Sequence, residues 1–168
     1  MSPKYFSLVL HSHIPFVLAH GSWPHGMDWL FEAAAESYLP LLDVFYRLRD
    51  EGVSANVNVS FTPVLMEQLK NKSFASGFKE YLRMKIEIAE NDRDHCEKTG
   101  NRALLGLTEY WRSWYEKLLQ DFSENFREDI LSACGGLQEE GRIEIITSAA
   151  PHAYLPRPWH DERMRGGS

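Results

Sequence analysis

The sequence predicts an α/β protein built on a parallel sheet, and three observations carry that prediction. Three short runs have the composition of strands: Phe6–Leu10, Val53–Phe61 and Ile143–Thr147. Long stretches of helical periodicity separate them, and strands joined by such connections pair in parallel, with right-handed crossovers. The first run leads into two alternate histidines, His11 and His13, at the carboxyl end of a strand, which is where α/β sheets place their ligands. About three parallel strands with long helical connections are therefore expected.

Phe6, Leu8, Val9 and Leu10 form an apolar run of strand length, interrupted only by Ser7. Pro15, without an amide proton, stops pairing beyond it. Side chains alternate along a strand, so His11 and His13 should share one face and Ser12 the other. His20–Asp28 reads as a loop carrying His20, Trp23, Pro24, His25 and Gly26. A tryptophan there suits stacking on a sugar ring or packing as a lid. Asp28 is expected to cap a helix starting at Trp29. Pro40 should kink or restart that helix, because it removes a backbone hydrogen bond and clashes with residue 36. The helix then runs to about Asp50, with Leu41, Leu42, Phe45 and Leu48 as its apolar stripe.

In the second strand, Val53, Ala55, Val57, Val59 and Phe61 alternate with Ser54, Asn56, Asn58 and Ser60, and Thr62-Pro63 ends it. A short helix over Val64–Lys70, a loop over Asn71–Gly77, a helix from Phe78 to about Asn91 and a charged turn over 92–100 follow. His95 and Cys96 in that turn lack a second pair at metal-ligand spacing and are not read as a metal site. Leu104–Glu140 reads as helix, with Leu107, Trp111, Trp114 and Leu118 on one packing face. Gly135-Gly136 should break its last turn. Gly141 turns the chain into the third strand, where Glu144 points away from the side taken by Ile143 and Ile145. A carboxylate in a buried strand is costly unless it is paired or lines a polar site.

Size and composition set bounds. A chain of 168 residues can bury a real core, and its 43% hydrophobic and 25% charged fractions are those of a globular protein. No apolar run approaches the ~20 residues of a membrane span. A net charge of −6, with no basic patch interleaved with aromatics, argues against nucleic acid. Met1–Lys4 lead straight into the first strand, leaving no room for a signal peptide. Cys96 and Cys134 lie far apart with no Cys-x-x-Cys spacing, as expected of reduced thiols in a cytoplasmic protein.

The His-x-His pair admits three readings: two structural histidines, two ligands of one metal ion, or donors and acceptors for a polyol. Nothing within Tyr5–Val17 separates the last two. Longer blocks carry more. Leu10–Val17, with His20–Pro24 and Trp29–Ala33 behind it, resembles the start of glycoside hydrolase family 57, most closely its α-glucan branching enzymes. Glu36–Leu42, Thr62–Leu69, Gly141–Ala150 and His152–Pro156 match in the same order. The first and last blocks look like that family's first and second sequence motifs.

The resemblance implies a (β/α)7 barrel, of which residues 1–168 would be the amino-terminal segment of the catalytic domain. It places His11, His13, Trp23, Glu144 and His152 around the donor sugar of an α-1,4-glucan, with no metal or organic cofactor. Retaining glycosidases need two carboxyl groups ~5 Å apart. In the family the nucleophilic glutamate follows the second motif and the acid/base aspartate comes much later, so neither position falls in this chain. No catalytic residue and no turnover are expected of these residues alone; a companion chain or self-association could complete the barrel. Two other classes stand beside this reading. A metal-dependent hydrolase or deacetylase would use His11 and His13 as ligands, as family 38 mannosidases do, but Pro15 stands where those place an aspartate. A non-catalytic glucan-binding remnant is the other.

Overall fold

A computed structural model describes residues 4–22 and 24–150. Among the described residues the sheet has three strands, β1 (Val9–Ser12), β2 (Val57–Phe61) and β3 (Ile143–Ile146), all parallel, with β2 in the centre. Six α-helices connect them: α1 (Met27–Ala33), α2 (Leu39–Asp50), α3 (Pro63–Leu69), α4 (Lys72–Thr99), α5 (Arg102–Gln120) and α6 (Ile130–Glu139). The α/β class, the parallel pairing and the long helical connections are as expected.

Register decides which residues share a face. Leu10, Val59 and Ile145 align across the sheet, as do Val9, Asn58 and Glu144. Alternation then puts Val57, Val59, Phe61, Ile143 and Ile145 on one face and Asn58, Ser60 and Glu144 on the other. The first set packs into or against the helices: Val59, Phe61 and Ile143 are buried with Leu30, Leu39, Leu42, Phe45, Ile130 and Leu137. Helices therefore cover the apolar face, and the polar face carries the histidines.

Several boundaries differ from expectation. The first strand begins at Val9, and Tyr5 and Phe6 are 89% and 88% exposed. Apolar composition cannot make a strand where there is no partner, and β1 pairs only along Val9–Ser12. The second strand begins at Val57 rather than Val53, because Asn56 adopts φ 50, which breaks the extended run. Gly26, not Asp28, is the N-cap of α1, and Asp28 lies in its first turn. Gly26 packs against the turn before it: a Cβ there would sit 2.1 Å from the Gly21 carbonyl oxygen.

Pro40 is absorbed rather than disruptive. A π-helical turn, Ala34–Tyr38, joins α1 to α2, with the Leu39 N–H donating to the Ala34 carbonyl five residues back. That wider turn gives the proline ring room and spans the bond it cannot make. The expected restart takes this form.

The expected loop at 71–77 and turn at 92–100 are both helix. Asn71 caps α4 by accepting the Ser73 N–H at 2.9 Å, and Gly100 closes it in the left-handed conformation. Phe74, Phe78, Tyr81 and Leu82 are buried along α4, so packing extends a helix that local composition does not announce. The break expected at Gly135-Gly136 falls earlier. A second π turn, Asp121–Asn125, leads to Arg127 and Glu128 at φ 51 and 60, and Asp129 then caps α6. Both glycines sit inside α6, whose Ile130, Ala133, Cys134 and Leu137 are buried. On α5 only Leu118 of the expected face is buried; Leu107 and Trp111 are 51% and 38% exposed.

One buried polar side chain ties the sheet to the following loop. Gln68 of α3 is 0% exposed. Its Oε1 accepts the Val17 N–H at 2.7 Å, and its Nε2 donates to the carbonyls of Pro15 at 3.1 Å and Ile14 at 3.4 Å. Replacing it by leucine keeps the volume and strands three backbone groups. Gln68→Leu should therefore cost about 2–4 kcal/mol, read as a lower urea midpoint at constant slope. A loss below about 0.5 kcal/mol, the usual scatter of surface changes, would refute the clamp.

Among the described residues β1 and β3 each pair on one side only, and open parallel edges attract further strands. Self-association or a broad thermal transition is the expected behaviour of the 168-residue chain. A sedimentation experiment giving monomer, together with a sharp cooperative melt, would contradict it.

Candidate functional site

The polar face of the sheet is organised in rows across the strands. In the lowest row the Ser7 hydroxyl donates to Asn58 Oδ1 at 3.2 Å, and Asn58 Nδ2 donates to the carboxylate of Glu144. One step up, His11 Nδ1 lies 3.2 Å from the Ser60 hydroxyl. At the carboxyl end, His13 Nδ1 lies 3.0 Å from the Thr62 hydroxyl. The two imidazoles share a face, as the alternation predicts, and each is held by a hydroxyl on the neighbouring segment.

Local sequence explains each placement. Ser60 and Asn58 are the polar half of the alternation in β2, so they lie on the histidine face. Thr62 ends that strand as the N-cap of α3, its oxygen accepting the Leu65 N–H at 3.4 Å. The same side chain thus starts a helix and holds a ring. Gln68, further along α3, fixes the backbone just after His13. The loop beyond is shaped by small contacts. His20 Nδ1 lies 3.3 Å from the Leu18 carbonyl, Phe16 meets the His20 ring edge-on at 6.3 Å, and the His25 and Trp29 rings are 5.7 Å apart. A cavity of about 420 Å³ beside β1 is lined by His11, His13, Ser37 and Tyr38 among others. Burial pushes the Tyr38 hydroxyl up to about 12, so it stays a neutral phenol there.

The structure brings His11 and His13 together and sets Glu144 apart. Glu144 aligns with Val9, four residues before His13, which is about 13 Å along a strand. It shares their face but stands towards its amino end. Trp23 and His152 lie outside the described residues. Four residues of the site were not singled out from sequence: Asn58, Ser60, Thr62 and Gln68. The first two were visible as the polar half of an alternation, and Thr62 as a hydroxyl before a proline. Gln68 gave no signal, since a glutamine on a short helix ordinarily faces water.

Among the described residues the face has groups suited to binding a polar ligand. It offers imidazoles, hydroxyls, an amide and one carboxylate, whereas retaining glycoside cleavage requires a close pair of carboxyl groups. Among the described residues no three His, Cys, Asp or Glu side chains converge on a point that could hold a metal ion. His95 and Cys96 lie on α4, with Cys96 buried and His95 exposed.

Comparison with known proteins gives the site a context. Over 161 residues the chain is 41% identical to the 1,4-alpha-glucan branching enzyme TK1436 of Thermococcus kodakarensis, covering 96% of this chain and 23% of that protein. The crystal structure of a GH57-type branching enzyme from Pyrococcus horikoshii superposes with a TM-score of 0.83 at 40% identity, over 90% of this chain and 28% of that one. The alpha-amylase AmyC of Thermotoga maritima matches with a TM-score of 0.77 at 31% identity, over 89% and 28% of the two chains. The chain thus spans about a quarter of the length of these proteins, and its strands and helices correspond to the amino-terminal part of their fold. The model of glycosyl hydrolase family 57 matches residues 7–165, so the chain belongs to that family.

Proposed function

We propose that residues 1–168 form the amino-terminal part of the catalytic domain of an α-glucan branching enzyme. The observation that carries this reading is the row of hydroxyl-held imidazoles on the polar face, His11 with Ser60 and His13 with Thr62. The relative at 41% identity is a branching enzyme, which supports it. The reaction would cleave an α-1,4 link through a glycosyl-enzyme intermediate and pass the chain to a 6-hydroxyl. His11, His13, Trp23 and His152 would bind the donor sugar, with Glu144, steadied by Asn58, deeper on the same face. No metal or organic cofactor enters this chemistry.

The remaining parts of the reading follow from it. The nucleophile and acid would come from strands supplied by further chain or by a companion subunit docking on the open edges. A cytoplasmic location fits two buried free cysteines, and burial pushes the Cys134 thiol up to about 12, which makes it unreactive. No helix among the described residues is long and apolar enough to cross a membrane. The likeness to an alpha-amylase supports a second reading, hydrolysis without transfer.

The assay that tests this uses amylose with the iodine spectrum and reducing ends followed together. The 168-residue chain should leave both at the level of a boiled control. Turnover abolished by Glu144→Gln would place a catalytic carboxylate within these residues and overturn the division of labour. Metal analysis tests the chemistry of the histidines. After dialysis against zinc, the protein should retain well below one equivalent, because a catalytic zinc takes three protein ligands and an open position. Near-equimolar zinc that disappears in both His11→Ala and His13→Ala would replace the glucan reading with a metal hydrolase.

A further inference from the structure

The Thr62 hydroxyl is 0% exposed, so its single hydrogen cannot be given to water. A hydroxyl donates once and accepts twice. Its partners among the described residues are two: the Leu65 backbone N–H at 3.4 Å, which can only donate, and His13 Nδ1 at 3.0 Å. If Nδ1 carried a proton, Thr62 would face two donors and its own hydrogen would be buried without an acceptor, an arrangement native proteins avoid. If Nδ1 presents its lone pair, every group is satisfied.

We infer that Thr62 donates to His13 Nδ1 and so holds the imidazole in its Nε2–H tautomer, which makes Thr62 a positioning residue of the site. Nε2, on the side of the ring away from Thr62, is then a hydrogen-bond donor. Such a group recognises an oxygen acceptor, a hydroxyl or an ether, and does not recognise a cation. A metal-binding Nε2 must offer its lone pair, with Nδ1–H donating to a carbonyl or carboxylate behind it. The behind-the-ring partner here is a hydroxyl already committed to one donor. Gln68 supports the arrangement by fixing the carbonyls of Ile14 and Pro15 and the Val17 N–H, immediately after the ring it serves. His11 and Ser60 repeat the pairing at 3.2 Å, with Ser60 5% exposed. The tautomer rests on the hydrogen-bond count alone; that the acceptor is a glucan oxygen rests on the function proposed above.

The experiment is a long-range proton–nitrogen correlation spectrum of the full chain with nitrogen-15 in its histidine rings, at a pH where imidazole is neutral. His13→Gln identifies the His13 signals. The parent should show a pyrrole-type Nε2 and a pyridine-type Nδ1 at this residue. Thr62→Val, which removes the hydroxyl, should pull both nitrogens towards the averaged shifts of a tautomer mixture, and Thr62→Ser should restore the parent pattern. Should the valine variant fail to fold because α3 has lost its cap, the parent and serine spectra decide alone. A pyrrole-type Nδ1 in the parent, or averaged shifts in parent and Thr62→Ser alike, would overturn the assignment. Maltoheptaose added to the parent separates the two claims. A shift at Nε2 supports the glucan acceptor; an unmoved spectrum with the tautomer intact counts against the glucan reading and leaves the role of Thr62 standing.

Discussion

Everything in this molecule depends on the parallel register of β1 on β2. Because Leu10 stands opposite Val59 and His11 opposite Ser60, the alternation of both strands falls into step. Leu10, Val59 and Phe61 then meet the helices, and His11 meets Ser60 on the other face. A slip of one residue would carry Val59 and Phe61 to the open face and bury Asn58 and Ser60 under the helices. Two large apolar side chains exposed and two polar ones buried without partners would cost several kcal/mol, at about 1.5–3 kcal/mol for each apolar side chain alone. The same register that stabilises the core thus puts a hydroxyl behind each imidazole, and core and site cannot be set independently.

The helical layer is held by aromatic packing more than by charge. Phe74 and Phe78 stack at 5.5 Å, Phe78 meets Phe122 edge-on at 5.0 Å, and Phe31 lies 6.0 Å from each of the first two. These rings join α1, α4 and the π turn after α5. Each fully buried ring contributes about 1.5–3 kcal/mol, and each well-placed pair about 0.5–1.5 kcal/mol more. The ion pairs of Arg112 with Glu109 and Glu116 lie on exposed helix, where solvent screens them and they add little. The buried exception is Asp121, only 8% exposed, and it is satisfied by Lys117 at 2.5 Å and Asn125 at 2.9 Å.

What was legible in the sequence, and what was not, divides along one physical line. Strand identity, parallel pairing and the shared face of His11 and His13 were legible, because alternation and connection length are properties of the local chain. The ends of elements were not. Val53–Asn56 has strand composition but is broken by Asn56 at φ 50, and 92–99 has turn composition but continues a helix that α5 covers. Gly135-Gly136 lowers helix propensity by about 1 kcal/mol per glycine, and the burial of Ile130, Cys134 and Leu137 outweighs it. At the site, the ring positions could be read, whereas Thr62 and Gln68 could not be assigned their roles. Their partners are about fifty residues away in sequence and adjacent only once the sheet forms.

Under the glucan reading proposed above, the chemical character of the polar face would follow from what it desolvates. A sugar is neutral and dense in hydroxyls, so a face that binds it gains nothing from net charge and pays for every ion it strips of water. Imidazoles backed by hydroxyls would suit that requirement, since each ring is oriented by a hydrogen bond worth about 0.5–1.5 kcal/mol. Glu144 is the exception on this face, and it is the group the structure keeps apart, low in the sheet and held by Asn58. Charge belongs where an oxocarbenium-like transition state develops it. On the proposed reading, carboxylates would come from other strands, and binding and charge stabilisation would rest on separate groups.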